Sequence, residues 1–188
     1  MGTVVCEHLR KEFSGGVVAV DDFHVDFGEN EFIVIVGPSG CGKSTTLRMI
    51  AGFEDLSEGS IYLGGRAVSV KAKNIYLPPE ERELGMVFQA FAVWPHMTIF
   101  DNVAFPLQVQ KRPAAEIRER VKTALKHCSL DGMENAFPSN LSGGQQQRIA
   151  LARAIDYVRA IRKTPISSRK VLQAPAIEPM LGRLSALL

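Results

Sequence analysis

Several features are scarce in this chain of 188 residues, and each scarcity excludes a class of protein. The three cysteines, Cys6, Cys41 and Cys128, are odd in number and far apart, which excludes a disulfide framework and favours a reducing cytoplasm. No apolar run is longer than Phe32–Val36, which is far shorter than the roughly 18 residues that span a bilayer. The N-terminal residues lack the pattern of a secretory signal. A net charge of only +2 gives no indication of a nucleic-acid partner.

The residues present are those of an ordinary globular protein, with 46% hydrophobic and 22% charged. The balance of charge changes near Ile155. Residues 1–154 contain 16 Lys and Arg against 18 Asp and Glu, whereas residues 155–188 contain 6 against 2. The last segment also lacks clear hydrophobic periodicity, which is typical of a basic, solvated or interacting arm.

Hydrophobic patterning predicts alternating strands and helices. Apart from Glu31, residues 31–36 are apolar and rich in β-branched side chains, which is typical of a buried strand that ends before a turn at Gly37. Residues 19–27 alternate loosely, as an edge strand does. Further strands are predicted at 60–63 and 84–89, and helices at 43–52, from Pro113 onward with Ile117, Val121, Leu125 and Cys128 on one face, and at 143–155. This order favours an α/β fold with a largely parallel sheet.

The strongest local signal is the phosphate-loop motif of residues 37–44, which fits G-x-x-x-x-G-K-S/T between a predicted strand and a predicted helix. Glycines let such a loop turn its backbone N–H groups toward one anion, and the helix N-terminus adds positive potential. We expect Lys43 to reach the β- and γ-phosphates, the Ser44 hydroxyl to bind Mg²⁺, and Thr45 to contact phosphate. The predicted nucleotide-binding loop also includes Ser39, Gly40, Cys41 and Gly42. The alternative is a glycine-rich turn with a surface lysine.

The phosphate loop indicates a nucleoside triphosphate without naming its base. The chain contains no N-K-x-D or T-K-x-D stretch of the kind that recognises guanine in GTPases. That favours adenine over guanine.

A second glycine motif occupies residues 141–148, with the sequence Leu-Ser-Gly-Gly-Gln-Gln-Gln-Arg. Ser142 and Gln145 have the spacing of a capping box at a helix N-terminus. Gly143 and Gly144 leave the backbone bare enough for a ligand to approach. On this pattern alone, an ordinary helix cap explains the motif as well as a binding function does.

Together the two motifs resemble those of ABC-transporter ATPase subunits, in which an L-S-G-G-Q signature follows the phosphate loop. The resemblance covers residues 3–155 and is greatest to importers of sugars, polyamines or ferric iron. Residues 85–89 match the strand that leads into the family's Q-loop, and residues 94–98 and 102–107 match the start of its helical lobe. The resemblance implies an α/β P-loop NTPase core with a β-subdomain and a helical lobe at about residues 91–150, incomplete at the C-terminus. It sets a nucleotide-binding domain at residues 1–155 and leaves residues 156–188 as a divergent basic tail.

The resemblance also implies functions for individual residues. Phe13 matches the aromatic residue that stacks on adenine, with a core position as the alternative. Gln89 matches the residue that binds Mg²⁺ or its water and reports the nucleotide state, with a polar strand end as the alternative. Ser142, Gly143 and Gly144 match residues that would contact the γ-phosphate of an ATP held by a second copy. Gln145 would support the helix that carries them.

The implied cofactors are ATP and Mg²⁺. The implied partners are transmembrane permease subunits and a second ATPase subunit in a head-to-tail dimer, with no nucleic acid. The implied location is peripheral, on the cytoplasmic side of the inner (plasma) membrane. The aromatic residues Phe91, Trp94, Phe100 and Phe105 would form the core of the helical lobe, a groove for a coupling helix of the membrane subunit, or both.

The resemblance ends at about residue 155. The family continues with an apolar strand ending in Asp-Glu-Pro, whose Asp orients the Mg²⁺ shell and whose Glu polarises the attacking water. Here the expected position, near Ile166, carries no acid, while Glu178 precedes Pro179 later than expected. We therefore assign catalysis to Lys43, Gln89 and the displaced Glu178, and expect a chain truncated or frame-changed after about residue 155. Loss of that strand would leave the apolar surface of residues 32–36 partly uncovered.

These departures leave hydrolysis open, so a degenerate module that binds ATP without turnover is the first alternative. A relative acting in DNA repair or translation would carry long coiled coils or a second head, and this sequence shows neither. A P-loop kinase has no use for residues 141–148. We predict an ATP-binding subunit that couples ATP binding and hydrolysis to solute import.

Overall fold

The computed structural model of the protein describes residues 3–28, 31, 33–161 and 171–173. The chain divides between Leu84 and Gly85 into two compact units, and residues 171–173 group with the first. The first unit contains strands β1 (Val4–Phe13), β2 (Val17–Phe27), β3 (Glu58–Leu63), β4 (Arg66–Val70) and β5 (Ile75–Tyr76), and helix α1 (Lys43–Ala51). The second contains strand β6 (Gly85–Val87) and helices α2 (Ile99–Val109), α3 (Ala114–His127) and α4 (Gly143–Ile161). Among the helices described, none combines the length and the apolar character needed to cross a membrane.

The five strands β1 to β5 form one antiparallel sheet in the order β2-β1-β3-β4-β5. The chain therefore has the predicted α/β class, but the prediction of a largely parallel sheet is wrong for these strands. Residues 14–16 join β1 to β2, and two glycines join β3 to β4. Connections this short can join only antiparallel neighbours. The predicted edge strand at residues 19–27 is confirmed, because β2 lies at the sheet edge.

The predicted buried strand at residues 31–36 is also wrong, with Phe32 outside the described residues. Glu31 and residues 33–36 have no strand conformation, and Ile33, Val34 and Val36 are 40%, 61% and 82% exposed. A strand of this composition is stable when neighbouring strands and helices cover both of its faces. The expectation that apolar surface here stays partly uncovered is confirmed by these exposures.

Helix α1 packs on the sheet through its buried face. Met49 and Ile50 are fully buried in a cluster that includes Leu9 and Ile61 of the sheet. The helix begins at Lys43 and is stopped by its C-cap Gly52, as predicted, and Gly52 is left-handed with φ 84°. This core therefore fixes the helix that follows the phosphate loop against β1 and β3.

Arg82 ties the C-terminal end of α1 to the rest of the first unit. Its buried guanidinium donates hydrogen bonds to the carbonyl oxygens of Met49 at 2.7 Å and Ile50 at 3.0 Å. Further bonds of 2.7 Å reach the carbonyl oxygen of Leu77 and the hydroxyl of Ser69. Burial lowers the pKa of Arg82. A cation at this end of α1 stabilises the helix dipole and satisfies its last carbonyl groups.

Helices α2, α3 and α4 pack together in the second unit. The predicted apolar face of α3 is confirmed by the burial of Ile117, Val121, Leu125 and Cys128. Arg120 of α3 donates hydrogen bonds to the side chain and the carbonyl oxygen of Asp156 on α4, at 3.2 and 3.0 Å. Helix α4 begins at Gly143 as predicted, but it continues to Ile161, past the predicted end at residue 155.

Candidate nucleotide-binding site

The phosphate loop, residues 37–44, enters α1 through two glycines in the left-handed conformation. Gly40 and Gly42 have φ of 84° and 85°, which residues with side chains rarely adopt. The space at Gly42 is closed as well, because a Cβ atom there would clash with the carbonyl oxygen of Ala19 on β2. Glycine at position 42 therefore lets the loop pass close to the edge strand.

The ammonium group of Lys43 is held by its own loop. Its Nζ donates hydrogen bonds of 2.7 Å to the carbonyl oxygens of Gly37 and Pro38, and lies 3.4 Å from the Sγ of Cys41. These contacts place the positive charge inside the turn, beside the N-terminus of α1. A cation next to a helix N-terminus forms an electropositive region that suits a phosphate group.

Helix α1 leaves its first backbone N–H groups available to a ligand. The N–H of Thr46 donates to the carbonyl oxygen of Gly42 at 2.8 Å, and the Thr46 hydroxyl donates to the same oxygen at 3.0 Å. The N–H groups of Lys43, Ser44 and Thr45 therefore precede the helical hydrogen bonds. Together with Lys43 Nζ, they give this end of the helix the donors that phosphate oxygens require.

Ser44 has the chemistry of a magnesium ligand. Its side chain is exposed, whereas the neighbouring hydroxyl of Thr46 is buried and bonded within the helix. Mg²⁺ takes oxygen ligands and usually keeps several waters beside one or two protein groups and substrate phosphates. The amide oxygen of Gln89 is also a hard ligand, and it belongs to an exposed turn of the second unit. The residues predicted to hold Mg²⁺ therefore fit the ion chemically.

Phe13 ends β1 and has a partly exposed ring, at 39%. It pairs with Val17 across the β1–β2 hairpin, two residues before Ala19, whose carbonyl oxygen faces Gly42. The Nζ of Lys11 lies 5.0 Å from the ring centroid, a distance suited to a cation–π contact. Phe13 therefore lies at the end of the same hairpin whose second strand, β2, contacts the phosphate loop.

Gln89 lies in an exposed turn, two residues after the end of β6. Two residues later, Phe91 and Ala92 are left-handed, with φ of 59° and 47°. This conformation is uncommon outside glycine, and it persists where surrounding contacts hold it. The ring of Phe91 lies beside Gly143, since a Cβ added there would be 3.7 Å from the ring. The turn of Gln89 and the start of α4 are therefore neighbours.

The signature motif forms the predicted capping box. The N–H of Ser142 donates to Oε1 of Gln145 at 2.9 Å, and the N–H of Gln145 donates to the Ser142 hydroxyl oxygen at 3.4 Å. Ser142, Gly143 and Gly144 are exposed, and a Cβ added at Gly144 would meet nothing within 4 Å. The start of α4 is thus both capped and accessible, which is compatible with either predicted function.

The structure places the predicted residues in separate groups. Residues 39–45 and Phe13 belong to the first unit, and Gln89 and residues 142–145 belong to the second. Glu178 lies outside the described residues, as do residues 162–170 and 174–188 of the predicted tail.

Sequence reasoning misses two arginines that the structure buries wholly or in part. Arg82 stands in a run of glutamates, Glu80-Glu81-Arg82-Glu83, which is typical of a solvated surface. Arg153 stands in the otherwise apolar stretch Ala-Leu-Ala-Arg-Ala-Ile. For Arg153, a lone charge among apolar residues was the available signal. For Arg82, the local sequence offers none.

Comparison with known proteins identifies the family. The ABC transporter family matches residues 20–160. The trehalose/maltose import ATP-binding protein MalK of Thermococcus litoralis is 49% identical over 141 residues, which are 75% of this chain and 38% of that protein. The spermidine/putrescine import ATP-binding protein PotA of Haemophilus influenzae is 48% identical over 147 residues, which are 78% of this chain and 38% of that protein.

A solved structure gives the same result for the fold. The dimeric post-hydrolysis state of the ATP-binding cassette MJ0796 bound to ADP and Pi is 34% identical, with a TM-score of 0.73 over 82% of this chain and 69% of that chain. The chain spans about two fifths of the length of the curated relatives that it matches. The family match includes the phosphate loop, the turn of Gln89 and the signature motif. This chain belongs to the ABC transporter family.

Proposed function

We propose that the chain is the ATP-binding part of a subunit that couples ATP binding and hydrolysis to solute import. The observation that carries the proposal is the position of Lys43 Nζ, bonded at 2.7 Å to Gly37 and Pro38 beside the N-terminus of α1. A phosphate arriving there would meet the ammonium group, the N–H groups of residues 43–45 and the positive helix end. The import relatives that share this segment support the transport function.

In this proposal Phe13 stacks on adenine. Its partly exposed ring stands at the end of the hairpin whose second strand touches Gly42. A flat aromatic face next to a phosphate loop suits the base of a bound nucleotide. The backbone of Ser39 to Gly42 and the side chain of Thr45 are proposed to bind the phosphates.

Ser44 and Gln89 are the proposed ligands of Mg²⁺, because both offer exposed oxygen atoms. When bound, the ion neutralises charge on the transferred phosphoryl group. Lys43 holds the β- and γ-phosphates, and Gln89 orients the water or ion beside them. Glu178 is proposed to polarise the attacking water.

The exposed start of α4 is proposed to act on a second copy. Ser142, Gly143 and Gly144 combine a capping hydroxyl, a bare backbone and a helix N-terminus, which suit the γ-phosphate of an ATP bound by another chain. We propose a head-to-tail dimer with two ATP molecules, and the dimeric structure of the similar cassette MJ0796 supports a dimer. Transmembrane permease subunits, at the cytoplasmic side of the membrane, are the proposed partners for import.

Equilibrium dialysis of the full chain with labelled ATP tests the binding step. We expect Lys43→Ala to weaken ATP binding by about tenfold or more, because a charge-assisted contact to phosphate is lost. Lys122→Ala is the matched control, since Lys122 is an exposed lysine of α3 in the second unit. Equal affinities for the two variants would contradict the proposal.

Phosphate release from the same samples tests turnover. A rate in the parent chain that Lys43→Ala abolishes supports hydrolysis. ATP binding that depends on Lys43, with no phosphate release above the Lys43→Ala sample, supports the alternative of a module that binds without turnover. Glu178→Gln then shows whether that residue takes part, because the amide cannot act as a base.

A further inference from the structure

Arg153 of α4 contacts the segment after Gln89 at two points. Its guanidinium carbon lies 4.5 Å from the centroid of the Trp94 ring. Its Nη2 donates a hydrogen bond of 3.5 Å to the carbonyl oxygen of Phe91. The other side of this segment meets α2, because the Trp94 ring packs on Phe105 with centroids 4.7 Å apart. The segment therefore lies between two helices.

Trp94 is joined to α2 through its backbone as well. Its N–H donates to Oδ1 of Asn102 at 2.8 Å, and Nδ2 of Asn102 donates to the Trp94 carbonyl oxygen at 3.0 Å. Asn102 is fully buried, so these bonds are shielded from water. Arg153 extends this anchored position to α4, the helix that begins with the signature motif.

Within the described part of the chain, no ion pair accounts for the charge of Arg153. Of the ion pairs among the described residues, none includes Arg153, and its Nη1 atom is buried without a hydrogen-bond partner. Burial lowers the pKa of this guanidinium. A partly buried cation without a carboxylate is unfavourable unless other groups stabilise it. Here those groups are the Trp94 ring and the Phe91 carbonyl oxygen.

Phe91 joins the same segment to the first residue of α4. Its ring lies within van der Waals distance of the position that a Cβ of Gly143 would occupy. Its left-handed backbone, with φ of 59°, turns the carbonyl oxygen toward Arg153. Gly143 and Arg153 of α4 therefore both contact the segment that begins at Phe91, two positions after Gln89.

We propose that Arg153 is a positioning residue, which holds the segment after Gln89 against the signature helix and so keeps Gln89 in a fixed relation to Ser142–Gly144. This role of Arg153 rests on the proposed ATP-binding function, because the position of Gln89 relative to Ser142–Gly144 matters only if these residues act on nucleotide. A shift of Gln89 on nucleotide binding is then passed to the Trp94 ring and to α4. Without the guanidinium, a shift of Gln89 changes the conformation of the turn alone and does not reach α4.

Trp94 is the single tryptophan of the chain, so its fluorescence reports on this contact without a label. Arg153→Gln removes the cation, and Arg153→Lys keeps the charge while losing the planar fork. Arg118→Gln, on the exposed face of α3, is the matched control. Each full chain is measured for acrylamide quenching without nucleotide, for the change in Trp94 emission on addition of Mg-ATP, and for ATP affinity by equilibrium dialysis.

We expect Arg153→Gln to raise the quenching constant by about twofold and to reduce the ATP-induced emission change by about threefold or more. ATP affinity stays within about twofold, because Arg153 contacts the segment and not the nucleotide. Arg153→Lys shows the same changes at smaller size, and it decides the question if Arg153→Gln does not fold. Arg118→Gln behaves as the parent chain.

Unchanged quenching and an unchanged emission response in the Arg153 variants would overturn the proposal. Loss of ATP affinity in proportion to the emission response would also overturn it, because that pattern indicates general destabilisation. If the parent chain binds no ATP in dialysis, the proposed function fails. The quenching measurement without nucleotide then still decides whether Arg153 fixes Trp94.

Discussion

Gly42 lies directly against the carbonyl oxygen of Ala19, so that the start of α1 touches the edge strand β2 through backbone atoms. No side chain fits between them. The contact joins the phosphate loop to the hairpin that carries Phe13. A local requirement for glycine in the motif is therefore also a packing requirement of the first unit.

Gly42→Ala and Gly40→Ala test this contact as a matched pair. Both glycines are left-handed, but a Cβ at Gly40 would meet nothing within 4 Å. We expect Gly40→Ala to lower the free energy of unfolding by about 1 kcal/mol through backbone strain alone. Gly42→Ala adds a clash with backbone and should cost about 2–4 kcal/mol in urea denaturation. Equal losses would show that the contact with Ala19 is unimportant.

Replacing Arg82 should destabilise the first unit strongly. Arg82→Met removes the guanidinium donor from the carbonyl oxygens of Met49 and Ile50, and the Met49 oxygen keeps the N–H of Gly52 at 3.2 Å. We expect a loss of about 3 kcal/mol in the free energy of unfolding, measured by urea denaturation. Arg118→Met, at an exposed position of α3, should change it by less than about 0.5 kcal/mol. A small loss for Arg82→Met would mean that water replaces the guanidinium.

Stability should fall at alkaline pH because of Cys6. Burial raises the pKa of its thiol from 9.0 to about 12, so the native state keeps a proton that the unfolded chain releases above about pH 9. The contribution of the protonated Cys6 thiol to the free energy of unfolding is fully present below about pH 9. It is lost as the pH rises toward 12, by up to about 1.4 kcal/mol per pH unit.

Urea denaturation between about pH 8 and pH 11 measures this slope. Cys6→Ala should remove that part of the slope, because the titrating thiol is gone. Cys41→Ala, at an exposed cysteine, should retain it. Parallel profiles for the parent chain and Cys6→Ala would exclude Cys6 as the cause.

Two substitutions of Ser142 distinguish its function as a helix cap from its proposed contact with nucleotide. Ser142→Ala should lower the free energy of unfolding by about 1 kcal/mol, because the capping box loses both hydrogen bonds of the Ser142 hydroxyl, although the N–H of Gln145 keeps the Ser142 carbonyl oxygen at 2.9 Å. Ser142→Asp keeps a good cap, but its carboxylate would repel a γ-phosphate. We expect Ser142→Asp to preserve stability and to suppress ATP-dependent dimerisation in sedimentation velocity experiments. Dimerisation equal to that of the parent chain would leave the helix cap as the whole function of Ser142.

Phe13 should matter for ATP affinity through its aromatic face. Stacking on a base is worth about 1–3 kcal/mol, so Phe13→Ala should weaken ATP binding by about tenfold in equilibrium dialysis. Phe13→Tyr keeps the ring and should bind ATP within about twofold of the parent chain. Phe137→Ala is the control, because Phe137 is similarly exposed and belongs to the second unit. Unchanged affinity in Phe13→Ala would support a packing function instead.

Three local features of this protein could be predicted from sequence alone. The stop of α1 at Gly52, the buried face of α3 and the capping box of Ser142 and Gln145 all appear as expected. Each depends on residues within one or two helical turns, through glycine stereochemistry or the spacing of side chains along a helix. The family itself followed from two such motifs, and the comparisons confirmed it. The functions of Gln89, Phe13 and the signature residues stay predictions.

The tertiary structure decided which strands pair and which charges are buried. Residues 31–36 have the composition of a buried strand, yet Val34 and Val36 are exposed, because composition does not supply the strands and helices that would cover them. Arg82 and Arg153 look locally like a surface charge and an isolated one. Their partners, Met49 and Trp94, are distant in sequence, so only the folded chain brings the two guanidinium groups to them. The spacing of side chains along one helix or turn can be read from the sequence. The long-range contacts of Arg82 and Arg153 depend on how distant segments of the chain pack together.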